Sequence, residues 1–132
     1  MDIVIDTSVI IAVIAGEPQR DLLIERTIGA DLLAPHSVHW EIGNAFSAML
    51  RRNRVTIEQA SQSMAIYKTI PIRFVDVELE ESLQLAEALD IYAYDAYLIR
   101  CALKYNAPLI TLDQNLITMA QRARARIIEV LS

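Results

Sequence analysis

Cysteine, histidine, glycine and proline are all scarce in this chain of 132 residues, at one, two, three and four copies. The lone Cys101 has no internal disulfide partner, which excludes a disulfide framework and fits a reducing compartment. Set among apolar helix positions, it reads as a packed thiol rather than a nucleophile. So few glycines and prolines exclude collagen-like and low-complexity chains, and 54% apolar residues exclude intrinsic disorder. His36 and His39 have no third nitrogen or sulfur ligand beside them, so a zinc site is not expected. The longest apolar run, residues 9–15, falls far short of the ~20 residues that cross a bilayer. Met1-Asp2-Ile3-Val4-Ile5-Asp6 carries two acids before any base, the reverse of a secretory signal. The expectation is a soluble, cytoplasmic protein without membrane contact. An excess of positive charge is also missing. With a net charge of −5, no global field attracts a polyanion. If nucleic acid is the substrate, bound cations or local arginines must supply the attraction.

What is present is a single domain over 1–132 that alternates strand and helix. The β-branched run 3–5 reads as a strand buried on both faces and ends on Asp6. Thr7 and Ser8 then start a short helix over 9–15, closed by Gly16 and Pro18. A second helix over 18–27 stops at Gly29, and a short strand over 32–34 is closed by Pro35. Behind Ser37 as helix opener, Val38, Ile42, Ala45, Phe46, Met49 and Leu50 form an apolar stripe at helical spacing. Glu41 and Asn44 share a face adjoining that stripe, one turn apart. Arg51, Arg52 and Arg54 close the helix, reading equally as partners of its dipole or as phosphate contacts.

Thr56 and Gln59 form a capping box for a helix carrying Ala60, Met64 and Tyr67. A strand over 72–75 ends on Asp76, which is expected to cap an acidic helix over 78–89 with core positions Leu79, Leu83 and Ala86. Asp95 stands at the start of a further helix whose buried face is Leu98, Ile99, Ala102 and Leu103. Asn106, which tolerates the left-handed conformation, and Pro108 end it. A buried strand over 109–112 then delivers Asp113 at its carboxyl end, and a helix over 115–124 and a strand over 127–130 complete the chain. Arg122, Arg124 and Arg126 near that last junction read as solvated surface or a partner contact. The order implies an α/β fold with a mostly parallel sheet of about five strands, wrapped by helices.

Four acids stand out: Asp6 and Asp113 at strand ends, Glu41 on a helix face and Asp95 at a helix start. Taken singly, Asp95 reads as a helix cap, Asp113 as a turn residue and Glu41 as a solvated surface group. In open parallel sheets, however, ligands bind beyond the carboxyl ends of the strands, where these four can meet. Carboxylates gathered in one pocket repel each other, and a divalent cation is the natural compensation. Oxygen ligands without cysteine or paired histidine point to Mg2+ or Mn2+ rather than zinc. Two such ions about 4 Å apart can activate a water and stabilise the leaving oxygen of a phosphodiester.

The segments Ile3-Val4-Ile5-Asp6-Thr7-Ser8, Trp40-Glu41-Ile42-Gly43-Asn44-Ala45, Tyr94-Asp95-Ala96-Tyr97-Leu98 and Leu109-Ile110-Thr111-Leu112-Asp113 resemble the four motifs of PIN-domain ribonucleases, in order, across essentially the whole chain. A single-domain protein of this size is similar to the VapC-type toxins of type II toxin–antitoxin pairs. The resemblance implies a three-layer α/β/α sandwich with the first and fourth strands side by side. It also implies a metal cluster of Asp6, Glu41, Asp95 and Asp113, with Ser8, Asn44 and Thr111 as accessory polar positions that orient water or metal. The implied activity is magnesium- or manganese-dependent endonucleolytic cleavage of RNA, often tRNA or ribosomal RNA, by a homodimer inhibited by a cognate antitoxin. One departure concerns Asp113-Gln114-Asn115, where many relatives carry a further acid. A PIN fold serving as a non-catalytic RNA- or protein-binding module is the alternative. An aspartate-based phosphotransferase is weaker still, because Thr7-Ser8 follows Asp6 where a second acid is needed and no suitably placed lysine is evident.

Overall fold

A computed structural model describes residues 1–130 of the chain. Strand β1 (Asp2–Ile5) lies inside a four-stranded, all-parallel sheet, and its Ile3, Val4 and Ile5 are buried on both faces as the β-branched run requires. The remaining strands are β2 (Asp31–Pro35), β3 (Ile72–Val75) and β4 (Leu109–Ile110), in the order β3-β2-β1-β4. Helices α1 (Thr7–Ile14) and α2 (Arg20–Thr27) link β1 to β2, and α3 (Ser37–Arg51) and α4 (Ile57–Tyr67) link β2 to β3. The chain then doubles back through α5 (Leu79–Leu89) and α6 (Ala93–Lys104) to place β4 on the far side of β1, and α7 (Gln114–Arg122) follows. Right-handed crossovers put α1 to α4 on one face of the sheet and α5 and α6 on the other. In agreement, α1 packs on α3 and α4, while α6 packs on α5 and lies across β1, β2 and β4. The result is the expected three-layer α/β/α sandwich. Its strand order reverses between β1 and β4, which makes their carboxyl ends the switch point of the sheet.

The fifth strand expected over 127–130 is reduced to one parallel bridge, Leu109 to Ile127. Its would-be neighbour is too short to carry a ladder. Only Leu109 faces the segment, donating to the Arg126 carbonyl and accepting from Ile128 N–H, each at 2.9 Å, and after Ile110 the chain turns into the loop that caps α7. The strand expected over 109–112 accordingly ends at Ile110.

Helix α5 is rotated from its expected phase. Of the expected core positions, Leu79 and Leu83 are 65% and 58% exposed and Ala86 is half-buried, while fully buried Ser82, with half-buried Leu85 and Leu89, faces inward. Both registers satisfy the helical period. The Ser82 hydroxyl donates to the Glu78 carbonyl of its own helix at 2.7 Å, so it is buried without an unmet hydrogen bond. Asp76 does not cap α5. Glu78 holds the N-cap position without a side-chain bond to the helix amides, and the Asp76 carboxylate meets His36 Nε2 at 3.0 Å. Ser37 is likewise not the cap of α3: His36 precedes the first helical turn, and the Ser37 hydroxyl is buried without a partner among the described residues. The Thr56–Gln59 capping box is present in both directions, and Asn106 closes α6 at φ +48°. Cys101 is fully buried, and burial pushes its thiol up to about 12, so it is packing and not a nucleophile. Among the described residues no helix is long and apolar enough to cross a membrane.

Candidate active site

Asp6 leaves β1 at its carboxyl end and caps α1: Thr7 N–H donates to its Oδ1 at 2.8 Å. Its Oδ2 accepts from two hydroxyls, Ser8 Oγ at 2.7 Å and Thr111 Oγ1 at 2.6 Å. The second bond spans the switch point. Parallel pairing of β1 with β4, with Asp6 N–H donating to the Ile110 carbonyl at 3.1 Å, brings the next residue, Thr111, alongside. Thr111 is 1% exposed and its Oγ1 also accepts from Asp113 N–H at 3.0 Å, so one hydroxyl ties the two strand-end acids together. Ser8 Oγ adds a second tie by accepting from Leu112 N–H at 3.1 Å.

Asp113 is the N-cap of α7, where its Oδ1 accepts from Asn115 N–H at 2.9 Å and Leu116 N–H at 3.2 Å. The cap reading and the site reading of this residue therefore describe one carboxylate. Asp95 is different. Tyr92 occupies the N-cap position of α6, and Asp95 lies in the first turn with no side-chain hydrogen bond among the described residues. It is not a cap. Glu41 reaches the same region from α3 and accepts from Thr7 Oγ1 at 2.9 Å. Thr7 is the residue that sequence reasoning missed; its only signal was its place directly after Asp6. Asn44 lies exposed on α3, and among the described residues no hydrogen bond joins it to the acids.

The acids feel one another. Burial raises the Glu41 carboxyl above its ordinary value, the Thr7 bond opposes that rise, and the charges of Asp6 and Asp95 add to it. Burial raises Asp95 as well, reinforced by the charges of Asp113 and Asp6. Four carboxylates from four separate elements thus share one region of negative potential at the carboxyl edge of the sheet. Their donor set, oxygen only, fits a hard divalent cation. Their spacing is loose: among the described residues no three acidic, imidazole or thiol groups are close enough to hold one ion as they lie. Neither histidine joins them, since His36 pairs with Asp76 and His39 Nδ1 lies 2.8 Å from the Tyr67 hydroxyl. An open depression of about 450 Å3 beside the acids is lined by Asp90, Ile91, Tyr92, Asp95 and Asn115.

The arginines lie elsewhere. Arg51, Arg52, Arg54, Arg122 and Arg124 are exposed, and Arg126, also exposed, donates to the Asn106 carbonyl at 2.8 Å.

The chain matches the PIN domain family over residues 3–122. Among solved structures it is similar to PAE2754 from Pyrobaculum aerophilum, at 24% identity and a TM-score of 0.69 over 90% of this chain and 87% of that one. It is also similar to a PilT N-terminus domain protein, SSO1118, from the archaeon Sulfolobus solfataricus P2. That likeness has 14% identity and a TM-score of 0.50 over 98% of this chain and 87% of the other. At these identities the two likenesses concern the fold alone. No curated protein matches the chain.

Proposed function

From the premise that the chain belongs to the PIN domain family, whose members are typically nucleases that use divalent metal ions, we propose that it is a magnesium- or manganese-dependent endoribonuclease. The observation that carries this reading is the convergence of Asp6, Glu41, Asp95 and Asp113, in which burial pushes Glu41 and Asp95 toward protonation and the neighbouring acids' charges add to that push. A scaffold has no use for such a cost, whereas a cation removes it.

Asp6, Glu41, Asp95 and Asp113 would hold the metal. When bound, it supplies Lewis-acid stabilisation of phosphodiester charge and an activated water. The chain's own residues do the positioning. Ser8 and Thr111 hold Asp6 Oδ2, so that carboxylate is oriented before any ion arrives. Thr7 favours the ionised form of Glu41, the form a ligand needs. Asp113 is oriented by two backbone amides of α7. Asn44, one turn from Glu41 and exposed, is placed to meet substrate or water rather than to support a carboxylate.

The biological role we propose is that of the toxin in a toxin–antitoxin pair, a cytoplasmic homodimer acting on tRNA or ribosomal RNA and restrained by an antitoxin protein. What supports it is the set of four motifs within a single domain, together with apolar side chains left uncovered, Trp40, Leu79 and Leu83 among them, as subunit or antitoxin contacts require. The loose spacing of the acids favours one second reading, a PIN fold that binds RNA or protein without turnover.

One experiment separates them: incubation of purified, antitoxin-free protein with a mixture of tRNA and ribosomal RNA under manganese, magnesium or chelator, beside an Asp95→Asn control. Metal-dependent fragments that vanish in the control are expected. No cleavage by a folded protein that still binds manganese would replace the nuclease by the binding module.

A further inference from the structure

Tyr92 is 87% exposed, the most exposed aromatic residue of the described chain, and it lines the same depression as Asp95. We propose that its ring is a stacking platform for an unpaired base of the RNA whose backbone lies at the acids. This rests on the nuclease reading for the identity of the bound polymer and adds to it a positioning residue outside the acidic cluster.

Exposure alone says little, because single apolar groups on a surface are common. The setting says more. Tyr92 occupies the N-cap position of α6 yet does no capping with its side chain, and its hydroxyl makes no hydrogen bond among the described residues. Its neighbour Tyr94, by contrast, is packed edge-on against Tyr97 at 6.3 Å between ring centres. The Tyr92 backbone is pinned from both sides. Its carbonyl accepts from Ala96 N–H at 3.2 Å, and the preceding Ile91 N–H donates to the Ala86 carbonyl at 3.0 Å. An aromatic ring is thus mounted on a fixed backbone three residues before a proposed metal ligand, with its faces in water.

The charge around it leaves the ring, and not an ion pair, as the contact this depression can offer a nucleotide. The depression holds two acids, Asp90 and Asp95, and neither lysine nor arginine lines it. The chain as a whole carries a net charge of −5. Proteins that hold nucleic acid through lysines and arginines gain their affinity from phosphates, and that source is missing at this point of the surface. Stacking on an aromatic ring needs no cation at the ring itself and accepts any base, since every base has a π-face, while a cation held by the acids would carry the phosphate. Tyrosine suits the task because its ring orders with little loss of conformational freedom.

The test uses the full chain and a short fluorescein-labelled oligouridylate. Binding is followed by fluorescence anisotropy with calcium, which offsets the acids' charge, and cleavage is followed separately with manganese. Wild type is compared with Tyr92→Ala, Tyr92→Phe and Tyr92→Trp, all checked for equal melting temperature. Tyr92→Ala is expected to weaken single-strand binding on the order of ten-fold or more, with Phe and Trp retaining it. The same sequence as a duplex should be indifferent to the substitution, and KM should rise in Tyr92→Ala while kcat stays within about two-fold. Wild-type affinity in the alanine variant, failure of Phe and Trp to restore binding, or a wild type that binds no single strand would each overturn the platform. The two readings fail apart. Ring-dependent binding without cleavage under any metal retires the nuclease and keeps the platform. Metal-dependent cleavage with binding unmoved by Tyr92→Ala does the reverse.

Discussion

The Thr111 hydroxyl donates to the Asp6 carboxylate at 2.6 Å although 105 residues separate the two in sequence. That contact and its second half, acceptance from Asp113 N–H, make Thr111 the joint between β1 and the α7 cap. Thr111→Val keeps the shape and removes the hydroxyl. A loss of about 1–2 kcal/mol is expected, because Asp6 loses a buried donor and Asp113 N–H a buried acceptor. Urea titration with an unchanged m-value measures it, and an unaltered midpoint would show that the joint is not structural.

On the proposed nuclease reading, cleavage depends on formal ligand charge. Asp6→Asn and Asp95→Asn should each reduce metal-dependent RNA cleavage on the order of 100-fold or more while leaving the circular dichroism spectrum unchanged. Full activity in either variant would remove that residue from the site.

The same acids set the stability of the metal-free protein. Asp95 has its carboxyl raised in the folded state, so folding favours the protonated form there, and ionisation costs stability as pH rises through the raised value. In chelator at neutral pH, Asp95→Asn should therefore melt above wild type, with the gap closing as the solution is acidified and wild type becomes protonated. Manganese should invert the order, since it stabilises the intact cluster by mass action. Differential scanning calorimetry in both conditions checks the two signs.

Thr7→Val tests the residue whose bond opposes the rise of the Glu41 carboxyl. Loss of the 2.9 Å bond raises the Glu41 carboxyl further and makes a ligand harder to deprotonate. Manganese affinity should fall about ten-fold, and fall more at lower pH. Calorimetric titration at two pH values distinguishes this from a general weakening.

Away from the site, Glu78 takes Arg100 Nε at 3.1 Å and the Lys104 ammonium together, tying the start of α5 to α6. Chiefly the Lys104 bond holds its carboxyl down to about 2 from 4.5. A depressed acid contributes stability above the higher value that is lost as pH falls toward the lower one. Glu78→Gln should thus melt below wild type at neutral pH and low salt, and match it in strong salt or near pH 2. A difference that survives high salt would mean the pair acts by packing.

Elements whose two sides differ in chemistry were legible from the residues. Asp6 announced itself because an uninterrupted β-branched run stopped on it, and Asn106 with Pro108 marked the end of α6 without ambiguity. Where two phases of a helix were equally apolar, periodicity could not choose, and in α5 the choice fell to Ser82, whose hydroxyl is satisfied within its own turn. Residues 127–130 look like a strand by composition, but a ladder needs a partner, and β4 has two residues to give. Asp6 and Asp113 were marked by ending strand runs and Asp95 by its place in the first turn of α6, whereas Glu41, inside α3, was marked only by adjoining an apolar stripe. Thr7 was not, since a hydroxyl that serves Glu41 on α3 leaves no local trace beside Asp6.

The order β3-β2-β1-β4 also governs when the site can exist during synthesis. Asp6 and Glu41 leave the ribosome well before the strand that locks Asp6 to the Asp113 turn, and until β4 joins the open edge of β1 they and Asp95 belong to separate, unfastened elements. On the proposed nuclease reading, a chain without β4 has no assembled acidic cluster, and competence arrives only with the fourth strand.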